Sequence, residues 1–323
     1  MRCCRGGLGL SAAAHSTPLR GAPRKLEWAV LLLALWPCAS LPAQDYEIHL
    51  HRPQAVGLKY HLSSTGRSSR TKLVKSGNKI LENDAVKFSV ECECEVTVLA
   101  ADDKGKPSKL SLQIEKLTWT DDAGARELVN KGSVVTVSMK DEVEVSEMGG
   151  RRLPLPAQEA ITVILPLDPN GPTEDELFGA TGRKKPGDHW EANTDLMARD
   201  VLRLGARANK ADLSGTVAFE KVVNVGKTEC LQISRSVDCS RYIPSVPSEV
   251  KVEKGFLKIG FSEKLPVVAS LPALEVSQSA TYGYTMKGRP DPAGDEVTID
   301  FGVMLNSSSR VSDVQEPAET AGN

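Results

Sequence analysis

Aromatic residues and histidines are scarce in this 323-residue chain: aromatics make up 5% of it, and there are five histidines. Few imidazoles leave few groups that titrate near neutral pH, which disfavours histidine-based acid–base catalysis, although carboxylate-based enzymes do not need them. Phosphate-binding, dinucleotide-binding, zinc-protease and nucleophile-elbow motifs are also missing. The sequence therefore identifies no catalytic residue, no metal site and no cofactor, and an enzyme is the less favoured class.

The chain also lacks a large excess of charge of either sign, because 42 acidic residues nearly balance 40 basic residues and the formal net charge is −2. Proteins that bind nucleic acid usually carry a strongly basic surface, and docking on an anionic membrane needs a basic cluster. We therefore expect no nucleic acid as a partner.

The chain begins with an export signal. Its apolar run, Trp28–Trp36, is far shorter than the roughly 20 residues that cross a bilayer. Basic residues precede the run, and Pro37 and several small residues follow it. A positively charged segment, a short apolar segment and a cleavage site with small residues are typical of a cleaved export signal. Residues 1–43 are therefore predicted to direct the protein to the periplasm or the extracellular space, with cleavage after Ser40 or Ala43 and no transmembrane segment afterwards.

Cys38 raises the question of a lipid anchor. A lipid-attachment site of the lipobox kind has a small residue immediately before its cysteine, and here that residue is Pro37. The sequence therefore disfavours a lipid anchor at Cys38.

Four cysteines lie beyond the signal: Cys92, Cys94, Cys230 and Cys239. Thiols outside the cytoplasm tend to be oxidised, and an even number favours disulfides. Neighbours at i and i+2 of a strand are poorly placed for a bridge, so oxidised Cys92 and Cys94 would each pair with Cys230 or Cys239. The equally weighted alternative is that the four are small buried side chains. A Cys-x-Cys metal site is the least favoured interpretation of the cysteines.

Period-two alternation is the main structural signal. From Val86 to Val98 the even positions are apolar or cysteine and the odd positions are polar, which predicts one long strand with a dry face. A phase shift near Glu115–Lys116 indicates a β-bulge. About a dozen such strands, joined by short turns, favour a mainly β fold with an antiparallel curved sheet that forms a barrel or half-barrel. Two β-sandwich-like subdomains are the alternative.

Residues 149–187 are rich in proline and glycine and divide a β domain, 44–305, into halves 44–148 and 188–305. A capping box at Thr173–Glu176 predicts a very short helix ending at Gly179. Asp195–Leu204 has one apolar face and is predicted to be the only substantial helix. The polar residues 306–323 are expected to form a disordered tail.

One group of residues is a candidate ligand-binding site: Asp188, His189 and Trp190, which follow Gly187. Trp190 could stack on a ligand while Asp188 or His189 binds its polar group. The favoured alternative is structural, with a turn at Gly187–Asp188 and Trp190 packed in the core.

The C-terminal half resembles uncharacterised exported β-proteins of bacteria, families of unknown function. Three stretches carry the resemblance: Gly187-Asp-x-Trp190, Asp212–Val217 and the hairpin that leads into Cys230-Leu-Gln-Ile. The resemblance implies export and a β fold, and it supplies no catalytic residues.

These observations predict an exported soluble binding protein of the cell envelope with an apolar or lipid-like ligand. Its curved sheet would offer a concave apolar face that the helix and residues 149–187 partly cover. The alternatives are an envelope protein-interaction module without a ligand and a carboxylate-based hydrolase, which would need a cleft that joins Asp188 to another acid.

Overall fold

A computed structural model describes residues 44–140, 143–247, 249–289 and 295–317. The predicted export signal, 1–43, lies outside the described residues, as do residues 318–323.

The fold is dominated by an antiparallel sheet of 13 strands. The chain forms β1 Lys59–Ser76, β2 Lys79–Ala101, β3 Pro107–Asp121, β4 Gly124–Glu127, β5 Val134–Lys140, β6 Val143–Met148, β7 Arg151–Arg152, β8 His189–Glu191, β9 Ala206–Arg207, β10 Leu213–Val225, β11 Thr228–Cys239, β12 Ile243–Pro244, β13 Val250–Pro266, β14 Glu275–Gly288 and β15 Val297–Gln315. The order across the sheet is β7-β6-β5-β3-β2-β1-β15-β14-β13-β11-β10-β8, with β4 paired to β3, while β9 and β12 form a separate pair.

The predicted antiparallel β fold is confirmed, but the sheet is not closed into a barrel. Within the described residues its two end strands, β7 and β8, do not pair with each other. The two predicted halves also belong to one continuous sheet rather than to two sandwiches, because β1 pairs with β2 on one side and with β15 on the other. The β-bulge is confirmed too: Glu93 pairs with Lys116 and Cys94 with Ile114, so Glu115 is the extra residue.

Three helices lie between the strands, where the sequence indicated one substantial helix: α1 Leu155–Ile164, α2 Glu174–Phe178 and α3 Thr194–Arg203. The capping box of α2 is formed as predicted, with Thr173 Oγ1 accepting from the Glu176 amide and Glu176 Oε2 accepting from the Thr173 amide. The prediction missed α1, because Pro154 and Pro156 suggest an irregular segment. Proline is tolerated in the first turn of a helix, where its missing N–H would have no partner.

Two hydrophobic cores support the sheet. The first core lies in the N-terminal half, where β1, β2, β3 and β5 pack with α1. Gly66 of β1 marks the contact, since a Cβ at this residue would lie 2.5 Å from Val163 Cγ1. The second core joins β10 and β11 to Phe178 of α2, Met197 of α3 and the N-terminal residues Tyr46, Ile48 and Leu50.

The prediction of a disordered tail is wrong for residues 306–315, because they form the last part of β15. β15 is a central strand, paired with β1 from Lys59–Gln315 to Lys75–Thr298. Backbone hydrogen bonds on both sides hold such a strand even where its outward side chains are serines, so a polar composition does not by itself exclude it.

Candidate functional site: an aromatic strip on the helix-bearing face

Five strands continue beyond most of the buried core residues and form a projecting end of the sheet, at the border of which Leu257 and Ile259 pack against the second core. We define this end as residues 70–76, 79–87, 250–259, 280–288 and 297–305. In β1 the last buried side chain is Ser68, and in β2 the first is Phe88. The projecting end also exposes large apolar side chains, among them Val86, Phe256 and Met304, which are 42–51% exposed. Val86 pairs with Arg70 of β1 and lies on one face of the sheet, whereas Phe256 and Met304 lie on the other.

The strand register shows which side chains of the projecting end share a face. Tyr282 of β14 pairs with Leu257 of β13 and with Val303 of β15, and Val303 pairs with Arg70 of β1. Directly paired residues project to the same side of a sheet. Arg70 forms an ion pair with Glu159 of α1, with 2.5 Å between Nη2 and Oε1, so this is the face that carries α1.

Four rings line this face, and we call them the aromatic strip: Tyr242, Tyr282, Tyr284 and Phe301. The Tyr284 and Phe301 rings stack at 5.0 Å, and the Tyr282 centroid lies 6.4 Å from Phe301 and 6.2 Å from Tyr242. All four side chains are half-buried. Burial raises the pKa of the three tyrosines. The strip is thus a continuous apolar surface that no element fully covers.

The tyrosine hydroxyls supply polar groups to this surface. Within the described residues, none of the three hydroxyls makes a hydrogen bond to the protein, and none is a buried atom without a partner. A tyrosine hydroxyl both donates and accepts hydrogen bonds, so these groups are suited to orient a molecule on the strip.

Two segments of the chain flank the strip. On one side is α1, tied to β1 through Arg70 and Glu159. On the other side the chain after β11 crosses β13, where the Tyr242 amide donates to the Gly255 carbonyl at 3.1 Å. A Cβ at Gly255 would lie 1.8 Å from the Tyr242 carbonyl oxygen, so this crossing requires glycine. The strip therefore lies between α1 and residues 240–244.

The structure places Asp188, His189 and Trp190 away from the aromatic strip. They lie in or beside β8, an end strand, four strands from β14. Asp188 Oδ2 accepts from the Lys185 amide within the turn, His189 is exposed, and Trp190 Nε1 donates to the Phe178 carbonyl at 2.6 Å while its ring packs on the second core. These contacts match the structural alternative given above, and ligand binding by the three residues stays a prediction.

The four cysteines are buried free thiols. Cys92 and Cys94 belong to the first core, with their Sγ atoms 3.9 Å apart, whereas Cys239 belongs to the second core. All four are free thiols here, as in the alternative of small buried side chains, and disulfide pairing with Cys230 or Cys239 stays a prediction. Among the described residues no group of three or more His, Cys, Asp or Glu side chains could hold a metal ion. In the same residues no helix is long and apolar enough to cross a membrane.

Sequence reasoning missed the aromatic strip because its rings are dispersed along the chain. Tyr282 and Tyr284 alternate within one strand, while Phe301 and Tyr242 come from other segments. The alternation of Tyr282 and Tyr284 was a usable signal, since it places two rings on one face. Their neighbours on that face follow only from the register.

No protein-family model matches this chain, and no curated protein is similar to it in sequence. Several solved structures match over most of its length. Lipovitellin, from a structure describing lipid–protein interactions, is 11% identical with a TM-score of 0.34, covering 83% of this chain and 26% of that chain. This chain thus spans about a quarter of that protein. An outer membrane channel from Pseudomonas putida F1 is 9% identical with a TM-score of 0.20, covering 82% of this chain and 99% of that chain. These likenesses concern the β-rich architecture and do not specify a function.

Proposed function

We propose that the protein is an exported binding protein of the cell envelope that holds an apolar, lipid-like molecule on the aromatic strip. One observation carries the proposal: four contiguous, half-buried rings lie side by side on the face that carries α1, and three of them bear hydroxyl groups. Sites for apolar ligands are typically concave and aromatic, with a few polar groups that orient the ligand.

Charge near the strip favours a particular orientation. The positive charge of Arg70 lowers the pKa of Tyr282, although burial outweighs it and the net shift is upward. A cation therefore lies near one end of the strip. An acyl chain with a polar head would place its chain on the rings and its head towards Arg70 and its ion-pair partner Glu159, which offer charge-assisted hydrogen bonds.

The test is titration of the full chain, purified from an exporting host, with a fluorescent fatty acid such as cis-parinaric acid. We expect saturable binding that Phe301→Ala weakens at least about tenfold, because the central ring of the strip is lost. Tyr284→Phe keeps the ring and should have a smaller effect. Urea unfolding of each variant would verify that the protein is folded.

The matched control is Phe256→Ala, which removes one aromatic ring from the opposite face of the same projecting end. It should leave fatty-acid binding unchanged. The proposal is wrong if the folded wild-type protein does not bind the probe, or if Phe256→Ala and Phe301→Ala weaken binding equally.

Export is tested separately, by the mass of the protein recovered outside the cytoplasm. Cleavage of the signal predicts a chain that starts at Leu41 or Gln44. Recovery of the uncleaved chain only in the cytoplasm would contradict export without bearing on ligand binding.

A further inference from the structure

A cavity lies on the face of the projecting end that is opposite the aromatic strip. Its volume is about 470 Å³. Its lining residues come from β13, β14, β15, β1 and β2, so five adjacent strands build it. The lining also includes Tyr284 and Phe301, residues of the aromatic strip. Phe256 pairs with Gly283, Gly283 with Gly302, and Gly302 with Thr71, which makes one row across the sheet. This row is offset by one residue from Tyr282 and Phe301, so its side chains point away from the aromatic strip.

The floor of the cavity is bare backbone. Gly283 and Gly302 lie side by side in two central strands, where glycine weakens a sheet unless close approach is needed. A Cβ at Gly283 would lie 3.1 Å from Phe256 Cε1, so this glycine also lets the phenyl ring lie beside the floor. Phe256 remains 42% exposed and forms one wall.

Four polar side chains and Leu73 form the row beside the glycines. Lys254, Thr285, Asp300, Leu73 and Asn83 make the next row across the same strands. Asp300 Oδ1 accepts from Thr285 Oγ1 at 2.8 Å, which fixes the carboxylate and leaves Oδ2 for another donor. Asn83 supplies both a donor and an acceptor, and Lys254 supplies donors.

We propose that this cavity binds a hexopyranose ring. The apolar C–H face of the sugar would pack on Phe256 while its hydroxyls bond with Asp300, Asn83 and Lys254. Three strand spacings, about 14 Å, separate the backbones that carry Phe256 and Thr71, which leaves room for one six-membered ring above the glycines. The proposal does not depend on the function assigned to the aromatic strip.

Other ligand classes fit this cavity less well. A free phosphate would lie against the Asp300 carboxylate, which repels it. A purely apolar molecule would remove the carboxylate and the ammonium group from water without replacing their hydrogen bonds. A peptide cannot add to the sheet here, because β13, β14, β15 and β1 are all paired on both sides.

The test is saturation-transfer NMR of the full chain with methyl glycosides of glucose, galactose, mannose and N-acetylglucosamine, each at about 10 mM, which detects millimolar binding. We expect transfer to the ring protons of at least one glycoside. Phe256→Ala and Asp300→Asn should each weaken that binding at least tenfold. Both side chains are solvent-accessible, and circular dichroism and urea unfolding would verify that both variants remain folded.

One control separates this cavity from the rest of the projecting end. Met304→Ala removes an exposed side chain on the same face outside the cavity. It should keep glycoside binding within twofold of wild type. Tighter binding of oligosaccharides than of methyl glycosides would identify a glycan chain as the source of the ring, and equal binding would identify a free sugar. Absence of transfer from all four glycosides to folded protein, or unchanged binding by Phe256→Ala, would overturn the proposal.

Discussion

Arg235 and Glu263 form a buried ion pair beneath α2, with 2.6 Å between Arg235 Nη2 and Glu263 Oε1. The guanidinium lies between two rings, 4.8 Å from the Phe178 centroid and 4.7 Å from the Phe261 centroid. Arg235 Nε and Glu263 Oε2 are buried and have no hydrogen-bond partner among the described residues. The pair is therefore only partly satisfied, and each charge depends on the other.

Removing one partner of this pair should be far more harmful than removing both. Glu263→Leu leaves the arginine charge buried without its carboxylate, and we expect a loss of about 3–5 kcal/mol in the free energy of unfolding. The double variant Arg235→Met/Glu263→Leu replaces the pair with apolar side chains and should recover most of that loss. Urea unfolding measures both.

Asp238→Asn is the control for this prediction, because it breaks the exposed Lys258–Asp238 pair of the neighbouring strands. Exposed pairs contribute about 0–1 kcal/mol, so the variant should be nearly neutral. A double variant as unstable as Glu263→Leu alone would show that the ion pair is not the cause.

The antiparallel architecture could be predicted from the sequence, because alternation is a local property of each strand. Val86–Val98 lies within β2, and even the bulge at Glu115 left a phase shift that could be read from the residues. The extent of the sheet could not be predicted in the same way. The serines of residues 306–315 give no hydrophobic pattern, yet β15 is held by backbone pairing with β1 over its full length.

The candidate site depends on non-local pairing and could not be predicted. Tyr282 and Phe301 meet because β14 pairs with β15 in one register, and a shift of one residue would turn one of the two rings to the opposite face. The sequence drew attention to Trp190 instead, because a carboxylate, an imidazole and an indole were adjacent along the chain. In the structure, the Trp190 side chain packs against the second core.

His51 should make the stability of the N-terminal segment depend on pH. Its Nδ1 lies 3.1 Å from Glu174 Oε2 and its Nε2 lies 2.7 Å from the Lys104 carbonyl, so both ring nitrogens face acceptors. The hydrogen bond to Glu174 raises the pKa of His51 above 6.5, against the opposing effect of burial, and Asp175 adds to the rise. The folded protein thus binds this proton more tightly than the unfolded chain does.

The stabilisation by His51 is therefore complete below the unfolded pKa of 6.5 and is lost as the pH rises through the higher folded pKa. We expect His51→Gln to lower the free energy of unfolding more at about pH 5.5 than at about pH 8.5. Urea unfolding at the two pH values measures the difference. His189→Gln, at an exposed position in β8, is the control for the replacement of a histidine by glutamine. An equal loss for His51→Gln at both pH values would contradict the prediction.

Gly66 should be required for the close packing of α1 against the sheet. Because a Cβ here would lie 2.5 Å from Val163 Cγ1, Gly66→Ala must displace the helix or strain the valine. We expect a loss of about 1–3 kcal/mol in urea unfolding. Val163→Ala creates room, so the double variant should lose less than the sum of the two single variants. Additive losses would show that the two positions do not act on each other.

The free cysteines should be inaccessible in the folded protein. The four side chains of Cys92, Cys94, Cys230 and Cys239 are at most 2% exposed. The hydrogen bond to Cys92 and burial raise the pKa of Cys94, and burial raises the pKa of Cys230 and Cys239, so the reactive thiolate is disfavoured as well. For the chain without the predicted signal, residues 44–323, we expect Ellman's reagent to titrate no thiols under native conditions and all four in denaturant. Fewer than four thiols in denaturant would mean that some are oxidised, and mapping the linked peptides would then show whether the first core is bonded to the second.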